Sequence, residues 1–543
     1  MKSIVKAMAL LLIGTTSCSN YNADLIIHNA RIYTVNDSFE LASTLVVKDG
    51  KFIAVGEDDL RNRYSAAATL DLKGIPVYPG LIDAHCHFYQ LGLAQEHVDL
   101  RGSKSVEEVI SRLKAFEQTS STNVLMGRGW DQNLWEEKEF PTKEMLDKAF
   151  PNKLVVLERV DGHAAYVNSN VLSAAKITKD TKVAGGEVIL ANNEPTGILI
   201  DKASDLAYAI LPEPTRAEQI VALQKAEKIA LANGLTTVDD AGLNRAQLEL
   251  IDSLHRTNDL KIRVYGMISN SPENLAHYLE KGITQTDRLT IRSVKVYADG
   301  ALGSRGAALK RPYADAKKNK GLFITSPEKI EELAYILAKK GFQMNTHAIG
   351  DAANEVVLNA YEKALSVNPD PRWRIEHAQV VDKVDLEKFG AKILPSVQPT
   401  HATSDMEWAD ERLGEKRIAN AYSYKELLDW SGKIALGTDF PVERVSPIHT
   451  YYSAVARKDL NGNPSGGYQM DNALSRSEAL KGMTKWAAYA NFEEEEKGSI
   501  EVGKVADFVL LTNDIMVLND SELLATEVLA TFLNGEMVYQ RKQ

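Results

Sequence analysis

Five separated places in this 543-residue chain put metal-ligand chemistry at the end of an apolar run: the His85-Cys86-His87 triplet, Lys295, His347, His377 and Asp439. Each follows a short strand-like stretch, at residues 77–82, 291–294, 341–346, 373–376 and 434–438. Residues two apart in a strand share a face, so His85 and His87 can hold one ion while Cys86 points away as a small apolar filler. Four histidines, one carboxylate and a strand lysine suit a pair of borderline divalent cations, zinc above all. Metal ions in such a set activate water, so the implied chemistry is hydrolysis.

Ligands that end several different strands need a fold that gathers strand ends at one mouth, which is what a (β/α)8 TIM barrel does. Counting onward from the His85/His87 strand, residues 236–239, 262–268, 291–297, 342–347, 373–377, 393–397 and 434–438 complete a set of eight. Helical patterns such as 327–340 and 352–365 separate most of them, as alternating β/α order requires. The ligands then fall on strands one, four, five, six and eight. This register leaves residues 101–214 as an insertion with apolar runs of its own, too long for a loop, and so an α+β subdomain over the barrel mouth. Both chain ends read as small antiparallel strands, with hairpin turns at Asp49-Gly50 and Asn534-Gly535. The expected layout is a signal at 1–18, a flanking β-sandwich from 19–78 plus 498–543, and the metallohydrolase barrel from 79–100 plus 215–497. The acidic run 493–496 reads as a solvated face.

A net charge of −11 and the lack of a basic stripe exclude nucleic acid as the main partner. A small-molecule substrate remains, and a homodimer is left open. Two cysteines, Cys18 and Cys86, exclude a disulfide framework. The N-terminus has Lys2 and Lys6, an apolar core at 7–13, then Thr15-Thr16-Ser17-Cys18. That is a secretory pattern, too short to span a bilayer. Ending at a cysteine, it resembles a bacterial lipoprotein signal, although Thr15 stands where leucine is usual. The resemblance implies lipidation at Cys18 and an exported enzyme anchored in the periplasm or cell envelope.

Longer words surround the ligands: Pro79-Gly80-Leu81-Ile82-Asp83-Ala84-His85-Cys86-His87, Asp161-Gly162-His163, Asp299-Gly300-Ala301-Leu302-Gly303-Ser304-Arg305, Arg374-Ile375-Glu376-His377-Ala378-Gln379 and Gly437-Thr438-Asp439. In this order they resemble the amidohydrolase superfamily of metal-dependent hydrolases, specifically its YtcJ-like branch, which includes N-substituted formamide deformylase. The resemblance implies that His85, His87 and Asp439 hold one metal and that His347 and His377 hold the second. Lys295 would bridge them as a carbamate, since a lysine cation cannot bind metal and its CO2 adduct can. Asp439 would take the proton of the attacking water, and the bond cleaved would be a non-peptide linear C–N bond of an amide, N-formyl group or carbamate.

Four further residues are candidate substrate contacts: His163 in the insertion, Asp299 and Arg305 just past Lys295, and His401 past the seventh strand. Each has a plainer reading, as a core histidine, a mutual salt bridge and a packed loop residue respectively. Two other functions fit the same barrel, a mononuclear deaminase and a catalytically silent binding protein. Lys295 disfavours the first, and the full ligand set disfavours the second. If the lipoprotein reading holds, Cys18→Ser moves the enzyme into the soluble fraction or leaves its signal uncleaved, because the acyl chains supply ~0.8 kcal/mol per buried methylene. Intact-mass analysis of the wild-type protein checks this, and an unmodified N-terminus other than Cys18 overturns it.

Overall fold

Eight parallel strands form the centre of the molecule in a computed structural model that describes residues 22–542 apart from 96, 119–122, 367–369 and 391. Cys18 and the whole expected signal lie outside the described residues. The strands are β1 (Leu81–Cys86), β2 (Leu235–Leu243), β3 (Arg263–Ser269), β4 (Leu289–Tyr297), β5 (Gln343–Ala348), β6 (Trp373–His377), β7 (Ile393–Val397) and β8 (Ala435–Leu436). They pair in that order. The expected helices fall between them, as Pro327–Lys340 and Asp351–Ala364. The first begins with Ser326 capping the backbone N–H of Lys329 and Pro327 at its first turn, and it ends at left-handed Gly341.

The seam between the first and last strands differs from expectation. β8 is two residues long, where 434–438 reads as a full strand. Asp83 replaces part of the ladder: its carboxylate accepts the Thr438 N–H at 2.9 Å and the Thr438 hydroxyl at 2.7 Å. Beyond it the Asp439 N–H reaches the His85 carbonyl at 2.8 Å, and the His87 N–H reaches that of Phe440 at 2.8 Å. At Gly437 the strands approach so closely that a Cβ would lie 2.5 Å from the His85 nitrogen.

The chain ends form two facing sheets. One orders its strands Lys51–Gly56, Thr44–Lys48, Ala23–His28, Ala66–Asp71, and the other Glu536–Gln540, Val528–Leu533, Phe508–Leu511, Pro76–Pro79, Arg31–Tyr33, Leu41–Ala42. Their shared core includes Ile27, Val47 and Phe52 from one and Ile32, Leu510 and Phe532 from the other. Both turn pairs, Asp49-Gly50 and Asn534-Gly535, take positive φ at each residue, as a two-residue hairpin demands. The strand Pro76–Pro79 runs almost directly into β1, and Arg263 at the start of β3 pairs with buried Asp507, so the sandwich is tied to the barrel floor.

Between β1 and β2 a third sheet orders Gly186–Ala191, Glu194–Asp201, Ala164–Val167, Leu154–Arg159, Val124–Trp130 and Val98–Asp99 around its own apolar core. It opens at Val98, three residues before the expected 101. The run 493–496 is not a uniformly solvated face. Glu493 is buried against Lys497 and the Thr290 hydroxyl, and Glu494 pairs with Arg372. Among the described residues no helix is long and apolar enough to cross a membrane.

Removing the Asp83 carboxylate leaves buried donors of Thr438 without a partner. Asp83→Ala should therefore cost roughly 2–4 kcal/mol of stability. Urea unfolding followed by circular dichroism measures it, and an unshifted midpoint would show that the seam does not rest on this residue.

Candidate metal centre

The residues at the C-terminal ends of the barrel strands converge on one buried mouth. On β1 the His85 Nδ1–H donates to Glu376 Oε2 at 2.6 Å, so its Nε2 presents a lone pair to the mouth. His87, immediately past the strand, donates from Nδ1 to the Ala241 carbonyl at 3.1 Å and likewise presents Nε2. His377 donates from Nδ1 to Gln398 Oε1 at 2.7 Å. Each ring is thus oriented from behind by an acceptor, as metal-ligating histidines are. His377 and Asp439 also share a backbone irregularity, with φ of 72° and 61°. The turn out of β6 lets Glu376 and His377, adjacent in sequence, both serve the barrel interior.

What these orientations leave is a set of facing acceptors. Asp439 Oδ1 lies 3.3 Å from His87 Nε2 and 3.7 Å from His85 Nε2, buried and without a hydrogen-bond partner among the described residues. With both Nδ1 atoms donating backwards, the two Nε2 atoms and Asp439 Oδ1 face a shared point where a cation would be held. Donor atoms of His85, His377 and Asp439 all lie within 4.8 Å of one another, compatible with a single ion. The donor set therefore fits a divalent metal. Lys295 Nζ, from β4, comes within 3.0 Å of His85 Nε2. His347 meets the His377 ring edge-on at 4.6 Å between centroids, with Nε2 3.4 Å from the Gly300 carbonyl.

Burial sets the protonation of this group. It pushes His85, His347 and His377 down, the last two well below the usual imidazole value, so they are neutral at neutral pH. It pulls the Lys295 amine down to about 8. Burial alone would raise Asp439, but the imidazoles of His87, His85 and His377 hold it well below the ordinary carboxylate range.

The four candidate substrate contacts are placed differently. His163 reaches over the mouth from the insertion: its ring lies 5.1 Å from that of His347, and Nδ1 meets buried Asp201 at 2.6 Å. His401, on the helix Pro399–Asp405, points an Nε2 that has no hydrogen-bond partner among the described residues to within 3.6 Å of Asp439 Oδ2, while Gln379 holds its other nitrogen. Asp299 and Arg305 do not meet. Asp299 is fully buried and accepts backbone N–H groups from Ala308, Ile349 and Gly350, which uses both its oxygens to shape the loop after β4. Arg305 turns away to Asp315 at 2.9 Å. Cys86 is buried with its thiol on the Asp239 carbonyl, and burial drives its pKa well up.

Sequence reasoning gave no role to Glu376, Gln398, Asp201 or Tyr297. Glu376 has only one signal, its position beside a ligand. Tyr297 carries its ring 4.8 Å from Lys295 Nζ and packs between His347 and His163.

A model described as the amidohydrolase family matches residues 68–539. The putative amidohydrolase YtcJ of Bacillus subtilis is 32% identical over 95% of this chain and 99% of its own length. N-substituted formamide deformylase of Arthrobacter pascens is 27% identical, covering 95% and 98%. Among solved structures, an uncharacterized metal-dependent hydrolase from Pyrococcus horikoshii superposes with a TM-score of 0.75 at 31% identity, over 91% of this chain and 99% of that one.

Orienting carboxylates raise ligand basicity. Glu376→Gln should keep the fold but weaken metal binding by ~10–100-fold. Chelator competition reads this directly, and an unchanged affinity would remove Glu376 from the centre.

Proposed function

The chain belongs to the amidohydrolase family, whose members are metal-dependent hydrolases, and from that premise we propose that it hydrolyses a linear, non-peptide C–N bond of an amide, N-formyl compound or carbamate. The observation that carries the reading is the approach of the His85 and His87 Nε2 atoms to the buried Asp439 Oδ1, which has no hydrogen-bond partner among the described residues. The similarity to a deformylase supports the bond class.

His85, His87 and Asp439 would hold one ion and His347 and His377 the other, with Lys295 between them. Bound there, two divalent cations, zinc by ligand type, would polarise the scissile carbonyl and make water a nucleophile near neutral pH. Lys295 suits a bridging carbamate because its depressed pKa leaves neutral amine available near pH 7. That nitrogen forms a bond to the carbon of CO2 and releases a proton, turning a potential cation into an anionic ligand. Asp439, anionic and beside His401, would take a proton from the attacking water and return it to the departing amine nitrogen. His163, held by Asp201, faces the same space from the insertion and would contact the acyl or amine portion. Export and lipid anchorage through Cys18 belong to the same reading of the chain.

A panel of N-acyl, N-formyl and carbamate compounds, assayed with metal content, tests the proposal. We expect turnover of at least one class and about two ions per chain. Asp439→Asn should lower the rate by ~10²–10⁴-fold with the fold intact. Release of ammonia from a ring amine with one ion bound would instead indicate the deaminase, and an Asp439→Asn enzyme that keeps most of its activity would rule out the proton-transfer role.

A further inference from the structure

Behind the loop that follows β4, a cavity of about 630 Å³ opens between the barrel and the inserted subdomain. That is ample for a small organic molecule, and boundaries between structural units are where such pockets concentrate. None of the metal-centre residues lines it. We propose that this cavity is a second ligand site, for an amphipathic organic carboxylate.

The lining divides by chemistry. Phe140 and Ile189 of the insertion supply an apolar wall, and Arg305, Lys317 and Lys318 of the barrel loop supply cations, against one carboxylate, Glu187. A local excess of positive charge in a chain of net charge −11 marks a place that favours anions. Arg305 is held in position: Asp315 grips its Nη2 at 2.9 Å and is itself paired with Arg412. One edge of the guanidinium is so engaged, and a guanidinium has five N–H donors, which leaves donors for a ligand carboxylate. An apolar wall facing a cationic one selects a ligand with an acyl tail and a carboxylate head over inorganic anions.

The same loop touches the metal centre from its other side. Gly300 gives its carbonyl to His347 Nε2 at 3.4 Å. A Cβ on Gly300 or Gly306 would come within 2.8 or 2.9 Å of Asp201 Oδ2, and the other oxygen of Asp201 holds His163. A ligand pressing on residues 304–306 therefore presses on the supports of two mouth residues.

Calorimetric titration of octanoate into the metal-loaded full-length protein tests the site without any assay of turnover. We expect saturable binding that survives Asp439→Asn. It should weaken by about tenfold or more in the charge-reversed Lys317→Glu/Lys318→Glu double variant, and independently in Ile189→Trp, which fills the apolar side. Octanol, lacking the charge, should bind more weakly than octanoate. Thermal melts confirm that both variants fold. Absent binding, an affinity that both variants leave unchanged, or binding lost on Asp439→Asn, which would place the carboxylate at the metal centre, each overturns the proposal.

Discussion

Closure of the barrel is the constraint from which the site follows. Asp83 and Thr438 are 355 positions apart, yet the carboxylate of one holds both the backbone N–H and the hydroxyl of the other. One residue further along, the Asp439 N–H is bonded to the His85 carbonyl. This places the Asp439 carboxylate against His85 on β1 and His87 just past it. An open sheet with the same strands would hold those groups at opposite edges. The short β8 and the bare Cα of Gly437 are consequences of the same closure, because the backbones meet too closely there for side chains.

Around the seam, the interior is arranged so that the candidate metal donors are neutral or anionic and aimed. Burial removes protons from the imidazoles, and acceptors set behind them (Glu376, the Ala241 carbonyl and Gln398) decide which nitrogen faces inward. A ring left to choose its own tautomer could present an N–H to the mouth. Lower in the barrel, Arg374 bridges the Ala84 carbonyl and Asp239, filling the interior with a neutralised pair beneath the site.

The inserted subdomain then gives the mouth a roof. Its own core lets it fold as a sheet rather than a loop, so His163 is presented from a fixed frame. Asp201, at the end of the strand Glu194–Asp201, anchors that histidine and packs on the glycines of the loop after β4. Asp299, beside Gly300 at the start of this loop, ties it to the turn that follows β5 through the Ile349 and Gly350 N–H groups.

Strand periodicity, turn pairs and the order of ligand residues are local properties, and the sequence by itself determined them. They are why the barrel, the hairpins at Asp49-Gly50 and Asn534-Gly535, and the strand-end positions of His85, His347 and His377 could be read without coordinates. Partner choice is not local. Arg305 lies six residues from Asp299 and pairs with Asp315 instead, because Asp299 is consumed by backbone donors brought from β5. Glu493 looks solvated in a run of four acidic residues, yet the barrel floor packs Thr290 and Lys497 against it. Glu376 faces inward with Arg374 by strand alternation, and His377 joins it only because the chain leaves β6 through positive φ. Each of these depends on which distant atoms share a small volume, and only the tertiary structure decides that, because burial makes every polar group take the partner within reach.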